Sequence, residues 1–442
     1  MTNSEFKKAM QCGLGRCVTE LAACKDKEKY RQTVLWGCLH NPSFDTQCEG
    51  TRAEYLYELV SLYEDDEYFL APVLEKFESL PSKADWDHSH YCDLLCCFAE
   101  AGHESARLAL HKKYDEIYTR LLTKRSGKSY DFDRDNFERV GIAIVSLEGK
   151  DAFLKIAEDT GNLFLRNKKY DGFDFEWFYI CFENRHGKKR LAALMEREGK
   201  KSAAIKTFYE KINQTREDFK ARLTPPTPTA EDMVALAENG EMRQRDRVLF
   251  RRRAEEEQKH LLAEAVLNEP DLDKKAELLR TFARDGFPFP EKIIPYAKSE
   301  HEDLRDAALT VLSDSQGGAV HDFAIELLEA GQHLEEAVSM LIMNYRKRDK
   351  ALLLSCFDKF EIDYEDESGW HGVVDTILDA FRKKVKLPKE TLLFIYEKSL
   401  CSCCREYAVW DLAKHRWLSD EIRAECAHDS NLDIREYVSR LH

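Results

Sequence analysis

Apolar residues along this chain recur at intervals of three and four, the spacing that lays them on one face of a helix. In Asp85–Gly102, "DWDHSHYCDLLCCFAEAG", the stripe runs through Tyr91, Leu94, Leu95 and Phe98. Long alternating runs of Val, Ile and Thr, the mark of half-buried strands, are missing. The pattern predicts an all-α protein. Helix ends recur as regularly. "FAEAG" ends at Gly102, "SLEG" at Gly149, "MEREG" at Gly199, "LAENG" at Gly240, "FARDG" at Gly286 and "LLEAG" at Gly331, at spacings of 41–50 residues. Each glycine follows one amphipathic stretch and precedes another, and glycine is the least strained residue at the left-handed position that closes a helix. A period of about 40–47 residues with two or three helices per unit belongs to helical-repeat arrays. The chain has only 19 glycines, so this spacing argues against chance. Helix pairs are expected across Gly102, Gly149, Gly240 and Gly331. After Gly199 and Gly286, "KKS" and "FPFP" lengthen the turn.

A second signature is independent of the first. "SEHEDLRDAALTVL" (Ser299–Leu312) aligns with "SLCSCCREYAVWDL" (Ser399–Leu412) and with "DSNLDIREYVSRLH" (Asp429–His442). Leu304, Cys404 and Ile434 share one position, and Arg305, Arg405 and Arg435 follow them. These segments resemble the HEAT-repeat (armadillo-like) family, whose second half often reads as an acid, an aliphatic residue, an arginine and a small-residue helix. Glu302–Ala308 matches most fully and Asp433–Val438 well. At Cys403–Ala408, Cys403 stands in place of the acid. The resemblance implies a HEAT-like α-solenoid, a right-handed superhelix of antiparallel helix pairs. It implies no activity, because function resides in sites and not in the fold.

One seam interrupts the array. "RLTPPTPTAEDM" (Arg222–Met233) holds Pro225, Pro226 and Pro228, which disfavour helix and lack amide donors. The expected division is helical repeats over 1–223, a Pro-rich linker over 224–230 and helical repeats over 231–442. Thr229 suits the N-cap of the next helix, with Glu231 and Asp232 in its first turn. "KSYDFDRDNFERV" (Lys128–Val140) and "YDGFDFEWFYICF" (Tyr170–Phe182) read as aromatic loops leading into helices, the second in preference to a hairpin at Asp171–Gly172.

Composition narrows the function. Hydrophobic residues make up 43% and charged residues 34%, as in a folded water-facing protein, and no apolar window approaches the ~18 residues of a membrane span. The start has no signal-type apolar stretch, so the cytoplasm is expected. The formal charge of −15 repels phosphate backbones and anionic membrane surfaces. No nucleic acid, no membrane and no cofactor is expected as a partner. Walker A, H-E-x-x-H, G-x-S-x-G and strand-linked GxGxxG motifs are absent. "CGLGRC" (Cys12–Cys17) reads as a helix junction.

The 14 cysteines sit among apolar helix positions and read as packing thiols. Cys401 and Cys404 have C-x-x-C spacing. Cys404 falls on the aliphatic core position of Leu304 and Ile434, and Cys401 on a turn position. Zinc would need two more ligands, with Cys426 and His428 as candidates, and an unmatched C-x-x-C is a weak signal. The expectation is therefore no metal.

Three surfaces are candidates for binding. Trp86, His90, Asp93 and Cys97 share a helical stripe, where an imidazole and a carboxylate three residues apart can share a proton or hold a ligand. The plainer reading is a solvated face with a Trp packed on the next repeat, and His88 reads as a core-edge histidine. Glu49, Arg52 and Leu56 share a second stripe with Tyr55 at its edge; there Glu49 and Arg52 can simply pair. Arg243, Arg247 and Arg251 form a third, suited to phosphates or an acidic peptide, against which stand the i,i+4 pairs Arg251–Glu255 and Arg252–Glu256. The expected function is a non-enzymatic scaffold that recognises a protein or peptide along a solenoid groove. The alternative is an enzyme of the HEAT-like DNA glycosylase class acting on alkylated bases. Trp86 with Asp87 or Asp93 resembles its aromatic–carboxylate pair, but the spacing departs from that family's and no catalytic residue is assigned.

Overall fold

The computed structural model describes residues 1–81, 85–123, 132–167, 170, 172–222, 226–360 and 368–441. Helices carry the chain throughout, and no strand occurs among the described residues. The helix Glu302–Ser313 shows why. It buries Leu304, Ala307, Ala308, Val311 and Leu312, the 3–4 spacing of one helical face. Glu302 and Asp303 in its first turn meet the positive end of the helix dipole.

The three arginine-signature segments start their helices in register, as Glu302–Ser313, Ser402–Lys414 and Leu432–Ser439. Their N-caps are His301, Cys401 and Asn431. The His301 ring accepts from the Leu304 amide, and Asn431 accepts from the Asp433 and Ile434 amides. Leu304, Cys404 and Ile434, third in each helix, are buried. Two of the arginines turn back beneath their own loops. Fully buried Arg405 donates from Nη1 to the Ser399 carbonyl at 3.2 Å, and Arg435 donates from Nε to the Asp429 carbonyl.

Five of the six periodic glycines, at 102, 149, 240, 286 and 331, have positive φ between 65° and 104°. At Gly102 the closing bonds run from Gly102 N to Ala99 O (3.1 Å) and from His103 N to Phe98 O (3.0 Å), and the same pair recurs at Gly331. Gly199 differs: it ends the helix Lys188–Gly199, whose cap, Lys200, is right-handed. The same double closure occurs without glycine at Lys384 (φ 61°) and Arg416 (φ 59°), where Val385 N reaches Ala380 O and Trp417 N reaches Leu412 O, both at 2.8 Å.

Two compact units result: Met1–Thr224 together with Asp420–His442, and Pro225–Ser419. In the first, Asp85–Glu100 packs on Phe132–Glu148, and Lys150–Arg166 packs on Ala203–Arg222. The C-terminal segment lies against the N-terminal helices of this unit. Ser430 N donates to Gly13 O at 2.8 Å, Arg16 pairs with Glu425 at 2.9 Å, and Glu58 pairs with Arg435 at 2.8 Å. Gly13 closes the helix Asn3–Cys12 and Gly15 opens Arg16–Ala23, so "CGLGRC" is a helix junction. The stretch from Gly172 is a 3-10 turn to Phe175 followed by the helix Trp177–His186. Residues 124–131, including the start of "KSYDFDRDNFERV", lie outside the described residues.

In the second unit, Thr229 caps Ala230–Glu238 reciprocally with Asp232, at 2.8 and 3.1 Å. Beyond it the helices Leu272–Leu279, Glu302–Ser313, Leu334–Met343, Ser368–Arg382 and Ser402–Lys414 form a row, each packed on the next. Pro290–Ala297, Gly318–Ala330 and Lys389–Lys398 each back the row helix that follows them.

Candidate functional site

The row of helices places an open groove of about 290 Å³ between its middle members. Thr310, Ser313 and Asp314 supply one wall, Glu335, Glu336 and Ser339 the floor, and Gly372, Asp375, Asp379 and Arg382 the other wall, with Arg284 at the rim. Five carboxylates thus face two arginines. Both arginines are engaged: Arg284 Nη2 lies 3.3 Å from Asp375 Oδ2, and Arg382 Nη1 lies 2.6 Å from Asp379 Oδ1. Burial raises the Asp314 carboxyl above the usual range, although the Arg284 amide donates to it at 2.7 Å. Burial and the neighbouring Glu336 charge raise Glu335.

Next to this groove sits a thiol–imidazole cluster. Cys401 is the N-cap of Ser402–Lys414, Cys404 lies one turn in, and His371 comes from Ser368–Arg382. Their ligating atoms all lie within 4.8 Å of one another. Hydrogen bonds from the Cys403 and Cys404 thiols and from His371 draw the Cys401 thiol strongly down despite burial. The Cys404 thiol is driven up in turn, by its bond to Cys401 and by burial. Cys404 is buried, as its alignment with Leu304 and Ile434 predicts, and Cys401, at its turn position before the helix, is buried too. Cys426 and His428, the candidates for further zinc ligands, belong to the other unit; there Cys426 is buried and His428 pairs with Glu58. Sequence spacing misses His371, because nothing links its position to a C-x-x-C pair thirty residues on.

The sequence-predicted site residues are scattered. The Trp86 side chain lies outside what the structure describes. His90 is fully buried, with Nε2 3.0 Å from the Cys38 carbonyl, and burial lowers it to about 4. The carbonyl requires the proton on Nε2, so Nδ1 is bare. Asp93 accepts from Thr51 Oγ1 at 2.6 Å, and burial raises it to about 6. Asp87 is exposed. His90 and Asp93 thus bond to different partners, the Cys38 carbonyl and Thr51.

Glu49, Arg52 and Tyr55 are interior groups and present no surface. Arg52 pairs with Glu49 at 3.5 Å, and both side chains are at most 2% exposed. Arg52 also donates to the Gln11 carbonyl, and Tyr55 Oη to the Leu14 carbonyl at 2.9 Å. The arginine stripe is likewise divided. Exposed Arg243 is only the N-cap of Gln244–Arg253. Arg247 pairs with Glu277, and Arg251 donates to the Ala283 carbonyl at 2.6 Å. The helix ends at Arg253, so Glu255 and Glu256 begin the next helix and lie off this face.

No protein-family model matches this sequence, and no curated protein matches it. The functional reading therefore rests on the geometry.

Proposed function

We propose that this chain is a HEAT-like helical-repeat scaffold, without catalysis of its own, that holds a cationic segment of a protein or peptide partner along the helix row 272–414. The observation that supports this reading is the groove's charge. Glu335 and Glu336 stand side by side, and Asp314, Asp375 and Asp379 complete an acidic lining. Lys or Arg side chains relieve that repulsion, whereas a phosphate backbone meets it. A repeat array with antiparallel helix pairs accounts for the row, its backing helices and the in-register arginine segments. The same acidity disfavours nucleic acid and anionic membranes as partners. No described helix is long and apolar enough to cross a membrane, and the thiol-rich composition suits the cytoplasm.

The glycosylase alternative needs a carboxylate open to a cationic cleft, and Asp93 is instead enclosed with Thr51. The test is anisotropy titration with a labelled Lys/Arg-rich peptide and a duplex DNA. The peptide is expected to bind, and Glu335→Lys with Asp379→Lys to weaken it at least about tenfold. Reversing the exposed Glu264 and Glu329, away from the groove, should leave binding within about twofold. Equal losses from both pairs, tighter binding of DNA, or release of an alkylated base from DNA would each overturn the reading.

A further inference from the structure

The Cys401–Cys404 pair has a matched partner pair that lies far away in sequence. His371 and Asp375 are four residues apart on Ser368–Arg382 and so share a face. That face meets the N-terminus of Ser402–Lys414. Cys404 Sγ lies 3.3 Å from His371 Nε2 and 4.0 Å from Asp375 Oδ1. Cys401 Sγ completes the group within 4.8 Å of the other thiol and the imidazole. In a tetrahedral zinc site, bonds of about 2.0–2.3 Å set donor-to-donor edges of roughly 3.3–3.8 Å. The edges among the two thiols and the imidazole are at most 4.8 Å, so adjustments within about 1 Å bring these three donors into that range, and the Asp375 carboxylate, 4.0 Å from Cys404 Sγ, turns in to complete the shell. We propose that His371, Asp375, Cys401 and Cys404 form a structural zinc site that clamps Ser368–Arg382 to Ser402–Lys414.

The donor chemistry selects the metal. Two thiolates and an imidazole favour a thiophilic d10 ion over calcium or magnesium, which take all-oxygen shells. Zinc with two thiolates and one carboxylate carries a net negative charge. The positive end of Ser402–Lys414 and Arg284 both stand close to offset it. Arg284 holds Asp375 by Oδ2, leaving Oδ1 toward Cys404, as an outer-shell partner orients a ligand. Four protein donors close the coordination shell, so the site braces one wall of the acidic groove and does not activate water.

The test uses the full chain purified in reducing buffer, supplied with zinc and then desalted. Elemental analysis should give about one zinc per chain, and the Co2+-substituted protein should show thiolate-to-cobalt charge transfer and intense tetrahedral d–d bands. Cys401→Ser, Cys404→Ser and His371→Ala should each abolish both signals, while Cys403→Ser and Cys426→Ser retain them. Asp375→Asn should weaken zinc at least about tenfold against a competing chelator. Circular dichroism on each variant separates loss of metal from loss of fold, and chelation of the unsubstituted chain, which needs no mutation, should lower its Tm. Substoichiometric zinc with no cobalt bands would overturn the proposal. So would a Cys401–Cys404 disulfide forming equally fast with and without zinc, or metal that follows Cys403 or Cys426.

Discussion

At the scale of the residue, protons report how the interior is built. His88 and His90 are buried in the helix Asp85–Glu100, bonded to the Pro81 and Cys38 carbonyls, and burial lowers both to about 4. An unfolded histidine titrates near ~6.5, so between about pH 6.5 and 4 the unfolded chain takes up protons that the folded chain refuses. The stability these groups confer is complete above about pH 6.5 and drains away as pH falls, by up to about 3 kcal/mol each. Asp93 acts in the opposite sense. Raised to about 6, it makes the folded state bind a proton that the unfolded chain, titrating near ~3.9, has released, so its contribution improves as pH falls. Glu138, Asp314 and Glu335, also raised by burial, act in the same sense as Asp93, so the histidine contribution is read from the slope of Tm against pH between about pH 7 and pH 4.5, variant against unsubstituted chain. His90→Gln should make that slope less positive, and Asp93→Asn should raise stability at about pH 7 and make the slope more positive. A slope unchanged by His90→Gln would refute this account. The sequence shows these residues as a stripe but not their burial, because an amphipathic stripe does not say how many neighbours cover its polar edge. Glu49 and Arg52 make the same point: their spacing predicts that they pair, but not that they pair inside.

At the scale of the element, helix ends were legible where glycine marks them. Gly102, Gly240 and Gly331 close helices in the left-handed region, and Thr229 caps with Asp232 as its position predicts. The period fades after Gly331 because Lys384 and Arg416 adopt the same backbone shape with a Cβ in place. A left-handed non-glycine residue costs roughly 1–2 kcal/mol, which these closures tolerate because their backbone bonds still form. Lys384→Gly and Arg416→Gly should therefore each raise stability by about 0.5–1 kcal/mol, after the added entropy of the unfolded chain is subtracted. Gly331→Ala should lower it by about 1 kcal/mol. Chemical denaturation with an unchanged m-value is the measurement, and a loss on Lys384→Gly would show that the side chain and not the backbone sets that cap. The thiol–imidazole cluster was half legible for a related reason. Cys401 and Cys404 are local, while His371 reaches them only because Ser368–Arg382 and Ser402–Lys414 are neighbours in the row, a relation fixed by tertiary packing.

At the scale of the whole molecule, the sequence shows how the middle of the chain is patterned but not where its ends go. Composition gives a charge of −15 without placing any of it, and the repeat signature at Asp429–His442 reads as one more unit of a linear array. The structure assigns that segment to the unit that begins at Met1. The reason lies in small local features: Gly15 without a side chain, Glu58 between His428 and Arg435, and buried Cys426. A Cβ at Gly15 would sit 1.9 Å from the Glu425 carbonyl oxygen, so the approach is possible only for glycine. Gly15→Ala must push the segment away or distort the helix junction, and overpacking of this kind costs about 1–3 kcal/mol. Removing residues 420–442 takes away the buried Cys426, Ile434 and Val438, and the two aliphatic side chains alone are worth roughly 1.5–3 kcal/mol each. Hydrogen exchange should then quicken across Asn3–Cys12, Arg16–Ala23 and Ala53–Ser61 in both variants, more in the truncation than in Gly15→Ala. Protection in Glu302–Ser313 and Leu334–Met343, inside the other unit, should stay as it was. Equal loss of protection in both units would mean that they unfold as one, and unchanged exchange after truncation would mean that the C-terminal segment adds nothing to the unit it packs on.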